Sequence, residues 1–69
     1  MKKRSRQEQA THHICDIVHR DGVLLDQKEY DFADGGGVTA YTVVHRGTIY
    51  ALFEKDGEWM FYMKIKRLD

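Results

Sequence analysis

The chain has one cysteine, no proline, no long apolar run and no net charge among its 69 residues, and each of these absences excludes something. A lone thiol, Cys15, cannot close an internal disulfide, so the covalent staple that many small domains depend on is missing. Without a stretch of about 20 apolar residues, no segment can cross a membrane as a helix. Met1 to Arg6 is basic and runs into a polar segment rather than an apolar signal core. With the single thiol, this points to a reducing, cytoplasmic setting. No proline, internal repeat or low-complexity tract divides the chain, and at this length residues 1–69 make one domain at most. A domain so small buries only about 60% of the surface of its unfolded form, which leaves self-association or a metal as the remaining supports.

What is present begins with charge. Eleven basic and eleven acidic residues cancel, but they are not evenly spread. Lys2, Lys3, Arg4 and Arg6 come before any acid, and Lys64, Lys66 and Arg67 crowd the far end. From Asp21 to Asp34 the balance reverses, with Asp21, Asp26, Glu29, Asp31 and Asp34 set against Lys28 alone. The chain has basic ends and an acidic middle.

Ser5 followed by Glu8 fits a capping box, in which hydroxyl and carboxylate satisfy free amides at a helix start. A helix over residues 6–21 follows, with Ala10, Ile14, Ile17 and Val18 at helical spacing and Gly22 as a left-handed terminator. Residues 1–5 form a flexible basic arm. Val23-Leu24-Leu25 reads as a short buried strand and Glu29 to Ala33 as a half-buried one, either separate or parts of one bent strand. Asp34-Gly35-Gly36-Gly37 is a flexible connection. It lacks the lysine and following helix that a phosphate-binding loop requires.

From Tyr41 to Leu68 the sequence reads as an antiparallel meander. His45-Arg46-Gly47 and Lys55-Asp56-Gly57 each place glycine third, which suits three-residue loops closed by a left-handed residue. In that register Tyr41, Val43, Ile49, Ala51, Phe53, Trp59, Phe61, Met63 and Ile65 share the face that the helix covers. The expected fold is α+β: one amino-terminal helix packed on a three- to four-stranded antiparallel β-meander spanning residues 23–67.

One helix covers one face, yet the other also carries large apolar side chains. Val44, Tyr50, Leu52, Met60 and Tyr62 fall there in this register, more than a solvated sheet face normally bears. These five are the predicted interaction surface, docking a second copy of the chain or another protein unless Val23–Phe32 folds over them.

Ligand-type side chains concentrate in the helix. His12, Cys15, Asp16 and His19 recur at spacings that share a face, so His12, Cys15 and His19 are the weak metal candidates. One helix seldom completes a tetrahedral site, and a solvated polar face with Cys15 at its edge is the plainer reading. Cys15 and His19 also meet the crude demand for a thiol beside a base, but mid-helix and next to Asp16 nothing lowers the thiol pKa. No acid, base and nucleophile converge, so no enzyme, no catalytic residue and no cofactor are predicted. Nucleic acid is the alternative partner. Lys2, Lys3, Arg4, Arg6, Lys64, Lys66 and Arg67 would meet phosphates, with Tyr50 and Tyr62 stacking on bases. Against it stands a pI of about 6.9, well below that of a dedicated binder. The expected function is a non-enzymatic, regulatory protein–protein interaction module that self-associates.

Overall fold

The computed structural model describes residues 6–33 and 35–68. Helix α1 (Arg6–Asp21) precedes strands β1 (Val23–Asp31), β2 (Gly37–His45), β3 (Thr48–Lys55) and β4 (Glu58–Arg67). The strands form one antiparallel sheet in the order β1-β2-β3-β4, and α1 packs on one face of it. This is the predicted α+β arrangement. The basic arm, residues 1–5, lies outside the described residues, and with it the serine of the capping box.

Both hairpin loops are shorter than the glycine positions suggested. His45 pairs with Thr48 and Lys55 with Glu58, which leaves Arg46-Gly47 and Asp56-Gly57 as two-residue turns. All four central residues have positive φ, 49° and 75° in the first turn and 52° and 78° in the second. That is the type I′ geometry, whose twist matches that of the flanking strands. In a regular ladder a two-residue turn at Asp56-Gly57 would place both Trp59 and Phe61 on the side of Glu54. The sheet resolves this conflict with a bulge. Glu54 pairs with Trp59 and Phe53 with Phe61, and Met60 is the extra residue between them. Trp59 therefore stays on the side of Glu54, while Phe61 moves to the side of Phe53.

The changed register reverses the facing of β3 and of β4 beyond Met60, while Tyr41, Val43 and Trp59 stay under the helix as expected. Paired residues of neighbouring strands point to the same side, so the side under the helix carries the rows Leu24–Val43–Tyr50–Lys64, Gln27–Tyr41–Leu52–Tyr62 and Glu29–Thr39–Glu54–Trp59. Its core is Cys15, Val18, Val43 and Leu52, with Ile14, Tyr41, Tyr50, Trp59 and Tyr62 packed around it. The opposite side carries Val23–Val44–Ile49–Lys66, Asp26–Thr42–Ala51–Met63 and Lys28–Ala40–Phe53–Phe61. Ile49, Ala51, Phe53, Phe61 and Met63, expected under the helix, are on the side it does not cover.

Helix α1 also presents a different stripe from the expected one. Cys15 is part of the core with Val18, rather than lying at the edge of a polar face. At 100° per residue, Cys15, Val18 and Gly22 share one line, and a cysteine thiol packs there as a small hydrophobe. Gly22 does not adopt the left-handed conformation expected of it. Its amide donates to the Val18 carbonyl at 2.8 Å. A Cβ placed on it would meet Val43 Cγ1 at 2.4 Å and the Val18 and Val44 carbonyl oxygens at 2.6 and 2.7 Å. The residue is glycine because the chain turns from helix to sheet with no room for a side chain.

Strand β1 is one strand bent by a bulge at Leu25, and all nine of its residues are exposed. It is not the buried strand expected at Val23-Leu24-Leu25. Nor does it fold over the sheet, since it lies in the plane beside β2 as an edge strand.

Candidate interaction surface

On the covered side, polar atoms are matched to partners. Trp59 Nε1 donates to Asp16 Oδ1 at 2.7 Å, which ties the last hairpin to the helix. The His19 ring lies between two aromatics, with centroids 4.8 Å from Tyr41 and 5.4 Å from Trp59. Tyr41 Oη donates to Glu54 Oε1 at 3.1 Å. Burial raises the Tyr41 phenol pKa, and the hydrogen bond to Glu54 and the charges of Glu54 and Glu29 raise it further. These contacts give Asp16 and His19 a packing role at the helix–sheet seam. Both remain exposed, as a solvated face implies; what the sequence did not show is the Trp59 and Tyr41 partners brought to them from the sheet.

Cys15 is fully buried, and its thiol is pushed up from 9.0 to about 11, first by desolvation and then by the Asp16 charge. A thiol so placed is protonated at neutral pH and shielded from solvent, which is the opposite of what a nucleophile needs. It shares no open site with His12 and His19. Among the described residues, no three of His, Cys, Asp and Glu form a group that could hold a metal.

The predicted contact residues separate. Leu52 is 0% exposed, sealed under α1, and Tyr50 and Tyr62 pack against the same core with their rings 6.2 Å apart. None of the three forms an outward surface, and the register shift described above is the reason. Val44 is on the uncovered side, opposite Val23 and Ile49. Met60, the bulge residue, is exposed.

The uncovered side is the more apolar exterior. Among the described residues, no helix or strand lies across it, and the molecule is 17 Å through its shortest axis, the depth of one helix on one sheet. Phe53 and Phe61 stack with centroids 4.5 Å apart and planes 23° from parallel. Phe61 is 43% exposed, Tyr30 49% and Met63 51%. Val23, paired with Val44 on the same side, is exposed as well. Four such side chains half in water amount to roughly 400 Å² of apolar area, the size of the largest patch on a typical monomer. Val44, Ile49 and Phe53 add partly buried area between them.

The two edges of the sheet carry its irregularities. The bulges at Leu25, Met60 and Ile65 all lie on β1 or β4, the edge strands. Bulges and charged side chains on an edge interrupt the regular ladder that another chain would need to extend the sheet. Lys64, Lys66 and Arg67 sit on β4: Lys64 pairs with Tyr50 on the helix side and Lys66 with Ile49 on the open side, so they do not form one basic surface. Arg6 opens α1 and is exposed, while Lys2, Lys3 and Arg4 lie outside the described residues. No described helix is long and apolar enough to cross a membrane.

The chain matches no family model, no curated protein and no solved structure.

Proposed function

We propose that this protein is a non-enzymatic protein–protein interaction module, regulatory in kind, that self-associates through the open face of its sheet. The observation that supports this reading is the inverted distribution of apolar side chains. Six hydrophobic residues are buried, four in the core under α1 and two, Val38 and Ala51, on the open side, while ten large hydrophobics are exposed, and several of the bulkiest share the face that no element covers. The roughly 400 Å² estimated for four of them is about half the area each partner contributes to a standard interface, and their neighbours extend the patch. Bulged edges disfavour joining edge to edge, which leaves stacking face to face. Zero formal charge means that two copies do not repel one another as wholes. Cytoplasmic residence belongs to the same proposal, supported by a chain that relies on one buried thiol and no disulfide.

Met63→Lys tests this reading, because it places a charge within the apolar patch of the open face while leaving the helix side untouched. Light scattering at micromolar concentration should give a dimer for the native chain and a monomer for the variant, with the same helical circular dichroism for both. A native monomer would refute the proposal. Nucleic-acid binding has less support, because the two tyrosines it would use for stacking are packed under α1. Salt-dependent retention on a single-stranded oligonucleotide is its test.

A further inference from the structure

The relief of the open face carries the argument further, on the basis of the self-association just proposed. Along β2 and β3 the central positions are small: Ala40, Thr42 and Ala51, with Thr42 directly opposite Ala51. Ala51 is 9% exposed although it faces the uncovered side, so it lies at the bottom of a trough walled by larger neighbours. On β4 the same rows end in Phe61 and Met63, with Phe53 stacked against Phe61. One face thus holds a furrow and, one strand further on, a ridge of matching length.

We infer that the second copy stacks open face to open face about a twofold axis running along β3, so that the Phe61–Met63 ridge of each copy fills the Ala40–Thr42 side of the other's trough, while Ala51 and Phe53, on the axis, meet their own counterparts. Rotation about that axis keeps each row at its own level. Met63 then lies over the partner's Thr42, and Phe61 over the partner's Ala40. An isologous interface requires this kind of self-complementary surface, in which each contact occurs twice. Alternating large and small residues across facing layers is also how two sheets reach close packing at a separation of about 10 Å. The same rotation leaves β1 outside the overlap, so Asp26 and Lys28 fall on a hydrated polar rim instead of in the apolar centre.

A bump-and-hole experiment tests the arrangement. Ala40→Phe fills the trough, and the pair Phe61→Ala with Met63→Ala removes the ridge. Each variant alone should weaken self-association roughly tenfold or more. Mixed in equal amounts, the filled and cut chains should pair with each other beyond the statistical share, read as the mixed mass by native mass spectrometry. In the mixed dimer one native ridge meets one native trough, and the cut ridge meets the filled trough. Thr42→Phe serves as a second trough filler in case Ala40→Phe disturbs β2, and Trp59 emission reports folding from the far side of the sheet. If each variant weakens the dimer and mixing restores nothing, ridge-in-trough stacking is overturned while the open face keeps its role. A native chain that is monomeric at high micromolar concentration overturns both.

Discussion

Cys15 shows most directly how one side chain decides between readings of this chain. Counted as a polar ligand, it belongs with His12 and His19 on a solvated face; counted as a small hydrophobe, it joins Val18 and Gly22 and defines the stripe that α1 buries. The second count was open to the sequence, because free cysteine is among the most buried residue types. The structure selects it, with a fully buried thiol whose pKa is about 11. Folded protein should therefore resist a thiol reagent such as Ellman's, and unfolding in guanidinium should release one equivalent. Rapid reaction of the native protein would place Cys15 back on the surface. Stability should also depend on alkaline pH. The folded state holds the thiol proton more tightly than the unfolded state, so this contribution is complete below about pH 9 and is lost as pH climbs toward about 11. Chemical denaturation at several pH values should show a shallower alkaline decline in Cys15→Ala than in the native chain, and equal slopes would contradict the assignment.

At the scale of elements, the helix and the antiparallel order of the strands were legible in sequence, whereas the side each strand turns to the helix was not. A capping serine, a helical apolar period and a closing glycine mark α1. Two glycine-ended turns between aromatic and β-branched runs mark the hairpins. Facing depends on one residue more or fewer. Asp56-Gly57 is a strong two-residue turn signal, but accepting it required an unseen bulge at Met60, and bulges have no reliable sequence mark. Trp59 and Phe61, two apart and expected to share a face, were separated by it. The joint between α1 and the sheet is rigid for a reason that can be checked. Gly22→Ala must force its Cβ against Val43 and two backbone carbonyls, none of which is a flexible side-chain end, so it should cost about 2 to 3 kcal/mol. In a domain of this size thermal melting should show a loss of about 10 °C or more. An unchanged melting temperature would mean that the joint is looser than described.

For the whole molecule, the physical problem is one of coverage. A single helix covers one side of a four-stranded sheet, and this chain has apolar side chains on both. That two-sided character was legible in the sequence, because it survives a change of register. Which residues face outward was not, because a one-residue slip exchanges the sides of a strand. The surface first expected at Tyr50, Leu52 and Tyr62 became the core. The residues expected to form that core, Phe53, Phe61 and Met63, became the exterior. A second copy of the same face is the covering that the chain itself can supply, and it also answers the stability problem of a 69-residue chain without a disulfide. An isotope-filtered nuclear Overhauser experiment on an equal mixture of labelled and unlabelled protein tests this claim most directly. Cross-peaks between chains should arise from Phe61, Met63 and the Ala51 methyl, and not from Tyr50, Leu52 or Tyr62. Contacts between chains through α1, or none at all at a concentration where the protein is saturated by its own partner, would contradict it.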